Sequence, residues 1–509
     1  MTALVLIFAY FALLLLISFF TGRNSSNSHF FIGNRRSPWV VVAIGMIGSS
    51  VSGISLVSVP GMVTGTGFSY LQMCLGFVVG YAVVAFVLLP LYYRLNLISI
   101  YGYLEQRFGT RTRQTGAWFF IVSKIITSAA KLYVAVLVLQ SFAFAAWGIP
   151  LWLTVSACVL VIWLYTFRSG IGTIVWTDAL QTIVLLAVIV LMLVQVTRML
   201  DLSFVDAVST IRNTSLSDTF LFSDWVSSRN FFKQFASGIF VVIVMTGLNQ
   251  DMMQSTLSCR SLREAQKNML CYGTAFVPFN LLLLSLGVLL VIFAQNNGIA
   301  LPAKPDEIVP VFAAGMMGKA VYVCFIIGII AATFNSADSA LTAIVTSVYV
   351  DILKKEREKS LVKRSLLYLT VCAAFVLIVL LFANPNNKSM LDTIYMIVGY
   401  AYGPLLGLFA FGLLTKRQTN DSAVPCLAIA SPALTCLIDL SCRYFLEYQF
   451  GYELLILNGM IMLAGLVAVS RKVLFGTAIQ AGLACDKTTT EAGASAERGN
   501  FGKESHFNQ

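Results

Sequence analysis

Long stretches without a charged residue recur along the 509-residue chain and predict a bundle of membrane-spanning helices. Residues 132–167 and 268–303 each exceed the length of one span, and residues 37–93 are long enough for two. The first stretch has no basic start and no small-residue cleavage site, so we interpret it as a retained helix rather than a signal peptide. We predict thirteen helices, near residues 3–21, 38–60, 68–93, 116–145, 150–167, 173–197, 233–252, 270–294, 319–350, 365–384, 390–414, 423–442 and 454–470.

The composition supports this interpretation. Hydrophobic residues make up 58% of the chain and charged residues only 11%, whereas soluble domains carry about 25% charged residues. The sequence therefore predicts an all-α integral membrane protein. The ten cysteines lack metal-binding spacing and are expected to be packing residues. Both histidines, His29 and His506, lie outside the predicted spans, which argues against a membrane enzyme with a histidine base, and no organic cofactor is expected.

The basic residues are distributed unequally between the two sides of the predicted bundle. With the N-terminus outside, most Lys and Arg residues fall in cytoplasmic loops, and only Lys124 and Lys131 lie within a span. This bias follows the positive-inside rule, places the C-terminus in the cytoplasm and explains the net charge of +11 without a nucleic-acid partner. We expect loop 198–232 to be a short folded or surface-lying external segment, and residues 476–509 to be a disordered cytoplasmic tail.

The most informative polar cluster lies inside the ninth predicted helix. No charge occurs from residue 320 to 337, so Asp338 falls within the membrane. A carboxylate there costs roughly 2.5–3.5 kcal/mol on insertion scales, and such residues usually mark an ion pathway. Asn335, Ser339 and Thr342 share a helix face with Asp338. Because this face offers oxygen donors and no Cys or His, it predicts a site for a small hard cation such as sodium.

Three other segments carry polar interruptions. A dense run of glycine and serine at 45–55 weakens the second span and would expose backbone carbonyls, as in the broken helices of secondary transporters. Close helix packing through small residues is the alternative explanation. Asp178 begins the sixth span and is either a site residue or a charge at a helix N-terminus. The seventh span ends with Gly247, Asn249 and Gln250, a pattern typical of an interrupted helix.

These segments resemble the sodium:solute symporter family, whose members carry sugars, proline, sialic acid or iodide. The resemblance runs from 31–39 to 403–409 and includes the segment Asn335-Ser-Ala-Asp-Ser-Ala-Leu341. The other matching segments are residues 103–108, 176–178, 249–250, 262–266 and 351–352. The resemblance implies a LeuT-type fold of two inverted five-helix repeats. It divides the chain into an extra N-terminal helix and loop (1–36), a ten-helix core (37–418), two C-terminal helices (419–475) and the tail (476–509).

The resemblance also implies a main sodium site between the first broken helix and the eighth core helix. Backbone carbonyl groups of the first helix and carbonyl and hydroxyl groups of the eighth form this site in the family. Asn335 stands where a serine is usual, so we expect a changed geometry with an amide oxygen as a hard ligand. The corresponding residues here are Gly48, Val51, Ala332, Asn335 and Ser336.

Some members of the family bind a second cation deeper in the membrane. The corresponding residues here are Asp178, Asp338 and Ser339, and Asp338 replaces a serine and adds a charge. Either the second cation is held more strongly, or Asp338 pairs with a basic side chain, for which Lys131 is the candidate. Lys124 is expected to extend its ammonium group to the cytoplasmic boundary.

Solute contacts are expected from the broken helices and the fourth span. Thr127 lies where the sialic acid carriers place an arginine, and Lys131, one turn further, is a candidate for neutralising a solute carboxylate. The remaining candidates are Ser52, Gly53, Ser55, Gln72, Asn249 and Gln250. Their hydroxyl and amide groups suit a sugar, a polyol or a sugar acid such as sialic acid. A monocarboxylate or an amino acid is the alternative.

Together these features predict a sodium-coupled symporter that imports a small polar organic solute by alternating access. An ion channel using the same polar face is an alternative of a different class, although the chain shows no repeated ring motif. A membrane enzyme lacks a nucleophile–base–metal set, and a nutrient sensor would carry a signalling domain. We expect a monomer surrounded by lipid in the cell membrane, in bacteria the inner membrane.

Overall fold

The computed structural model describes residues 2–21, 26–140, 144, 148–168, 170–225, 227, 229–355, 360–381, 390–448 and 450–471, so the predicted tail at 476–509 lies outside the described residues. Its long helices are α1 (Thr2–Thr21), α2 (Trp39–Ser50), α3 (Gly53–Thr66), α4 (Tyr70–Arg94), α5 (Thr110–Leu139), α6 (Leu151–Thr166), α7 (Ile171–Met199), α8 (Phe231–Gly247), α9 (Gln250–Leu257), α10 (Leu262–Asn296), α11 (Gly318–Ile352), α12 (Leu361–Leu381), α13 (Met390–Leu414), α14 (Val424–Leu446) and α15 (Leu454–Val469).

Each of the thirteen predicted spans coincides with one long helix or with a pair of helices separated by a short break. Six helices have the length and hydropathy of a membrane span on their own, and two further spans are bent pairs. Helices α1, α6, α13 and α15 contain shorter apolar stretches, and α5 carries Lys124 and Lys131 within its apolar sequence. The prediction of an all-α membrane protein with about thirteen spans is therefore confirmed.

The two bent pairs are the interrupted helices that the polar segments predicted. Helices α2 and α3 meet at an angle of 59°, and α8 and α9 meet at 64°. At the first break Val51 has φ −86° and ψ 87°, and Ser52 is extended, so the helical hydrogen-bond pattern is lost. Each broken span opens one half of the ten-helix core, as expected for two inverted repeats.

Helix α11 lies at the centre of the bundle and positions the polar turn that contains Asn335. It packs against α2, α3, α5, α7 and α9. In its most apolar stretch 72% of the residues are buried, compared with 33% in α12 and 28% in α14. The side chains of α11 that are predicted to bind a cation therefore face the protein interior rather than lipid.

A cluster of charged residues joins the start of α5 and the end of α11 to the short helix Gly102–Arg107. Arg113 Nε donates to Asp351 Oδ1 at 2.8 Å and the same guanidinium also pairs with Glu105, while Lys354 Nζ lies 2.7 Å from Glu105 Oε1. Burial raises the pKa of Glu105, but hydrogen bonds from Lys354 and Arg113 outweigh burial and lower its pKa to about 2. Glu105 is therefore ionised at neutral pH and links the two helix ends.

The described part of the acidic loop 198–232 contains a short helix, as expected for a folded segment. Its helix Phe204–Asn213 begins with Ser203, whose hydroxyl accepts a hydrogen bond from the Asp206 amide. Phe204 and Val205 are exposed on this helix, with 82% and 73% of their surface accessible. The helix therefore lies on the surface of the protein with an apolar side available to the membrane interface.

Candidate functional site

The break in the first broken helix faces the polar turn of α11. A Cβ atom added to Gly48 would lie 2.6 Å from Asn335 Nδ2, and one added to Gly53 would lie 2.5 Å from Thr333 Oγ1. Only glycine allows so close an approach. Since the helix is interrupted between α2 and α3, the carbonyl groups in the last turn of α2 lack the amides that would continue it. The structure thus brings together the two segments from which the sodium site is predicted.

Three hydroxyl groups around this break have no protein partner among the described residues. Ser52, at the start of α3, and Ser336, on α11, are both buried, and neither hydroxyl forms a hydrogen bond. Thr333 Oγ1 is also buried without a partner. Because buried hydroxyls usually have partners, these three are available to a bound ion or solute. Thr333 was missed in the sequence, where one threonine beside Ala332 gives no signal of its own.

Asn335 connects three helices at the centre of the bundle. Its Oδ1 accepts a hydrogen bond from Ser49 Oγ at 2.5 Å, and its Nδ2 donates to the backbone oxygen of Asp178 at 3.1 Å. The same nitrogen lies 3.5 Å from Thr182 Oγ1. The amide therefore holds α2, α7 and α11 together, and its oxygen keeps a second lone pair for a cation.

The carboxylate of Asp178 lies between α2 and α11. Its Oδ2 lies 3.1 Å from Ser49 Oγ and from Ser339 Oγ; Ser339 donates to it, and the single Ser49 proton is shared between this oxygen and the closer Asn335 Oδ1. Its Oδ1 is buried without a partner among the described residues. Asp178 lies in the third turn of α7 and is 3% exposed, so it is not a boundary charge at a helix N-terminus. A buried carboxylate with a free oxygen is a suitable ligand for a hard cation.

Asp338 is fully buried and points towards α6. Its Oδ2 accepts a hydrogen bond from the Tyr165 hydroxyl at 2.7 Å, and its Oδ1 accepts one from the Ser339 amide at 2.6 Å. No ion pair joins Asp338 to Lys131, although both residues are described. The predicted ion pair is therefore wrong, because the carboxylate is turned to a tyrosine on another helix. Asp338 and Asp178 both contact Ser339, so the three residues of the predicted second cation site lie together.

A buried ion pair that the sequence did not predict joins α5 to the second broken helix. Lys124 Nζ contacts Asp251 Oδ2, and the two side chains are only 8% and 2% exposed. Asp251 lies in the first turn of α9, immediately after the break. The expectation that Lys124 extends to the cytoplasmic boundary is wrong, since its ammonium group is directed to the interior. The pair neutralises both charges inside the membrane.

Lys131 follows Lys124 by seven residues and lies on the same face of α5, about 10 Å further along the helix. It is half-buried and forms no ion pair with a described residue. Thr127, between the two lysines, donates its hydroxyl to the Ser123 carbonyl at 2.8 Å within its own helix. Lys131 is therefore the better placed of the two solute candidates on α5 to offer its polar group to a ligand.

Asn249 and Gln250 stabilise the second break. Asn249 Oδ1 accepts a hydrogen bond from the Asp251 amide at 3.1 Å and so caps α9. Gln250 Oε1 accepts from the Ile100 amide at 2.9 Å, and its Nε2 donates to the Ile98 carbonyl at 3.1 Å. The Gln250 amide is thus bound to the loop that follows α4, and only the amide nitrogen of Asn249 is left for a solute.

Two tyrosines cover the carbonyl groups at the second break. The Tyr92 hydroxyl donates to the Gly247 carbonyl at 2.9 Å, and the Tyr101 hydroxyl donates to the Leu248 carbonyl at 3.2 Å. Both tyrosines are fully buried. Two carbonyl groups of the second break therefore have side-chain partners, in contrast to those in the last turn of α2.

Gln72 and Ser55 differ in their surroundings. Gln72 Nε2 donates to the Arg229 carbonyl at 2.9 Å, and its Oε1 accepts from the Leu221 amide at 3.1 Å. Its amide is therefore occupied by the loop 198–232 and holds that loop against the start of α4. Ser55, in the first turn of α3, is half-buried and close to the break.

These features define a class of protein, a helical membrane transporter whose polar sites lie at two broken helices. The chain belongs to the sodium:solute symporter family, because the sequence model of that family matches residues 30–429. Its members are sodium-coupled transporters and not enzymes, and they are multi-pass membrane proteins. The predicted resemblance is confirmed.

Relatives of several kinds are similar to this chain. The Sodium/iodide cotransporter of Homo sapiens is 25% identical over 80% of this chain and 65% of its own length, and the Sodium/sialic acid symporter SiaT of Proteus mirabilis is 24% identical over 91% of this chain and 93% of its own length. The chain thus spans slightly less than two thirds of the first relative.

Solved structures show the same fold. A Na⁺-coupled sialic acid symporter in a substrate-bound, outward-open state has a TM-score of 0.79 at 21% identity, covering 93% of this chain and 99% of that chain. The nucleobase–cation-symport-1 transporter Mhp1 in a closed conformation has a TM-score of 0.55 at 14% identity, covering 88% of this chain and 95% of that chain. The LeuT-type prediction is confirmed.

Proposed function

We propose that this protein is a symporter that uses the sodium gradient to import a small polar organic solute by alternating access. The observation that carries the proposal is the contact between the first break and α11. There, Gly48 approaches Asn335 and Gly53 approaches Thr333, and the buried Ser336 hydroxyl on the same helix has no hydrogen-bond partner among the described residues. Such oxygen donors match the ligand preference of hard cations. Membership of the sodium:solute symporter family supports sodium as the ion.

In this proposal sodium enters from outside and binds before the solute. Its ligands are oxygen atoms of Gly48, Val51, Ala332, Asn335 and Ser336. Because a ligand shifts a conformational equilibrium only through its different affinity for the two states, this site must be intact only when the cavity faces outward. The membrane potential contributes about 2.3 kcal/mol per charge per 100 mV to import. Asp178, Ser339 and Asp338 form a second cation site in the same scheme.

Replacing Ser336 with alanine tests the first sodium site. We expect Ser336→Ala to raise the sodium concentration for half-maximal uptake at least about tenfold, because one direct ligand of the ion is lost. A polar contact with a charged group contributes about 1.5–3 kcal/mol. The measurement is uptake into proteoliposomes at varied external sodium, with potassium as the balancing ion. Ser209→Ala, on the exposed external helix, is the matched control. An unchanged sodium requirement would remove Ser336 from the site.

For the solute we propose a hydroxylated acid, with a sugar acid such as sialic acid favoured. Lys131 supports the carboxylate, because its ammonium group lies in the membrane interior without a carboxylate partner among the described residues. Ser52, Gly53 and Ser55 at the first break would contact the hydroxylated part, with the Asn249 amide nitrogen across the cavity. A monocarboxylate or an amino acid is the second candidate, favoured by the same lysine. Uptake screening with an inward sodium gradient separates these classes.

Replacing Lys131 with glutamine tests the carboxylate contact. We expect Lys131→Gln to weaken the apparent affinity for an acidic solute roughly 10- to 100-fold, the effect of losing one hydrogen bond to a charged group. Uptake of the acid and of its neutral amide is measured in parallel, and the amide is expected to lose much less. Lys304→Gln, on an exposed external loop, is the control. Equal losses for the acid and the amide would contradict a charge contact.

We also infer an orientation with the N-terminus outside and the C-terminus in the cytoplasm, in a bacterial inner membrane. The concentration of Lys and Arg residues in the loops assigned to the cytoplasm supports this orientation. We also propose that the protein functions as a monomer surrounded by lipid.

A further inference from the structure

Four hydroxyl groups form a chain between the two broken helices. Tyr81 Oη, on α4, donates to Tyr272 Oη, on α10, at 2.7 Å, and Tyr272 Oη also contacts Ser50 Oγ at the end of α2. The Thr246 hydroxyl, in the last turn of α8, lies next to both phenol groups. We call these four residues the hydroxyl bridge. Each of its two ends lies in the helical turn that precedes a break.

The hydroxyl bridge is built from corresponding elements of the two halves of the core. Each half begins with a broken helix, and α4 and α10 are the long helices that follow the two broken ones. Tyr272, from the second half, contacts Ser50 in the first broken helix. Tyr81, from the first half, lies beside Thr246 in the second broken helix. The two breaks are therefore linked by side-chain contacts as well as by helix packing.

Close packing fixes the positions of the two tyrosines. Helix α4 packs against both α8 and α10, and α10 also packs against α2. A Cβ atom added to Gly273, which follows Tyr272, would lie 2.5 Å from Tyr81 Cδ2, so the glycine lets the Tyr81 ring lie directly against α10. The two tyrosine rings meet edge to face, with centroids 4.6 Å apart. The phenol groups are therefore held in contact by the rings that carry them.

The protons of the hydroxyl bridge direct it towards the first break. Tyr81 donates its proton to the Tyr272 oxygen, so the single proton of Tyr272 is available to Ser50 Oγ. The two tyrosines are only 3% and 1% exposed, so a lost bond leaves a buried polar group without its partner. The bond to Ser50 therefore restrains the end of α2 between Gly48 and Val51, two of the residues predicted to bind sodium.

We propose that Tyr272 and Tyr81 are positioning residues for sodium binding, because through Ser50 they hold the end of α2 in the position in which its carbonyl groups face α11. The proposal rests on the proposed function in that the ion is sodium and its site lies at the first break. Neither tyrosine touches the ion in this arrangement. Through Thr246 the hydroxyl bridge also ties the second broken helix to the geometry of the first, so sodium binding at one break is linked to the position of the other.

Equilibrium binding of ²²Na⁺ to the purified full-length protein in detergent tests the proposal without a solute, with potassium chloride maintaining the ionic strength. Tyr272→Phe and Ser50→Ala should each weaken sodium binding roughly 3- to 10-fold, the effect of one hydrogen bond between neutral groups. The number of ions bound at saturating sodium should stay the same. The double variant should bind sodium no more weakly than Tyr272→Phe alone, since both changes remove one bond. Tyr93→Phe is the matched control, because its hydroxyl donates to the Cys259 carbonyl at 3.1 Å, beyond the end of α9.

Phenylalanine keeps the ring of each tyrosine, so a residue needed only for packing would leave sodium affinity unchanged. Ser50→Ala reports on the same bond from α2, and the test does not depend on the folding of one variant. The proposal is overturned if Tyr272→Phe and Ser50→Ala bind sodium normally, if their effects multiply in the double variant, or if the number of bound ions falls instead of the affinity. Normal binding by Tyr81→Phe would remove the link to the second break. In those outcomes sodium-coupled transport still stands. Only an absence of sodium binding in the unmodified protein removes the proposed function, and the positioning role with it.

Discussion

Lys124→Met is expected to lower the free energy of unfolding by about 3–5 kcal/mol, because it leaves the carboxylate of Asp251 buried without its partner. Both side chains are almost inaccessible, at 8% and 2% exposure, so water cannot replace the lost ammonium group. Asp251→Leu should have a similar effect by leaving Lys124 unpaired. The measurement is unfolding of the purified protein by denaturant in mixed micelles, or its melting temperature at several detergent ratios.

The double variant decides whether the pair itself is responsible. Lys124→Met combined with Asp251→Leu should be clearly more stable than either single variant, since no charge is then left without a partner. Lys304→Met is the control, because Lys304 and Glu307 form an exposed pair at 3.8 Å that should contribute less than about 1 kcal/mol. A double variant no more stable than the weaker single variant would show that the two charges act separately.

Gly48→Ala is expected to impair sodium binding with a strain of about 1–3 kcal/mol, equivalent to roughly 5- to 150-fold weaker affinity, because a new methyl group overfills the contact of three helices. The added Cβ would overlap Thr182 Oγ1 and lie 2.6 Å from Asn335 Nδ2. Either the break moves away from α11 or the Asn335 amide rotates out of its hydrogen bonds. Both changes displace oxygen atoms of the proposed site. Sodium-dependent uptake and ²²Na⁺ binding report the loss.

Two further variants test whether the effect comes from this clash. Gly65→Ala changes a glycine of the same broken helix with no atom within 4 Å of the added Cβ, and should bind sodium normally. Adding Thr182→Ala to Gly48→Ala removes the nearest clash and should restore part of the affinity. Normal sodium binding by Gly48→Ala alone would place the ion elsewhere.

The bundle itself could be read from the chain, because a bilayer demands a fixed length of apolar helix and the charge-free stretches have that length. The sequence predicted the first break only as one of two alternatives. The glycine and serine run at 45–55 suited either a broken helix or close packing, and the 59° bend shows that the helix is broken. At Gly48 and Gly53 the small residues serve close packing as well, so both explanations hold at once.

Side-chain partners could not be predicted in the same way. The periodicity of α5 places Lys124 and Lys131 on one face, but it carries no information about which distant residue lies opposite. Asp251 therefore went unassigned, and Asp338 was given the wrong partner. A glutamine likewise has the same chemistry whether its amide meets a solute or a loop backbone, so the structural role of Gln250 has no signature in the sequence.

Because of the tyrosines at the second break, the backbone carbonyl groups at the two breaks differ in their hydrogen bonding. Each half begins with an interrupted helix. Tyr92 and Tyr101 donate hydrogen bonds to carbonyl groups of the second break, whereas the carbonyl groups at the end of α2 have no such partners. Under the proposed function, a sodium ion therefore meets unpaired backbone carbonyls at the first break and not at Gly247 or Leu248. At the second break the two carbonyls already have partners, so under the proposed function an uncharged part of the solute could lie against them without competing with the ion.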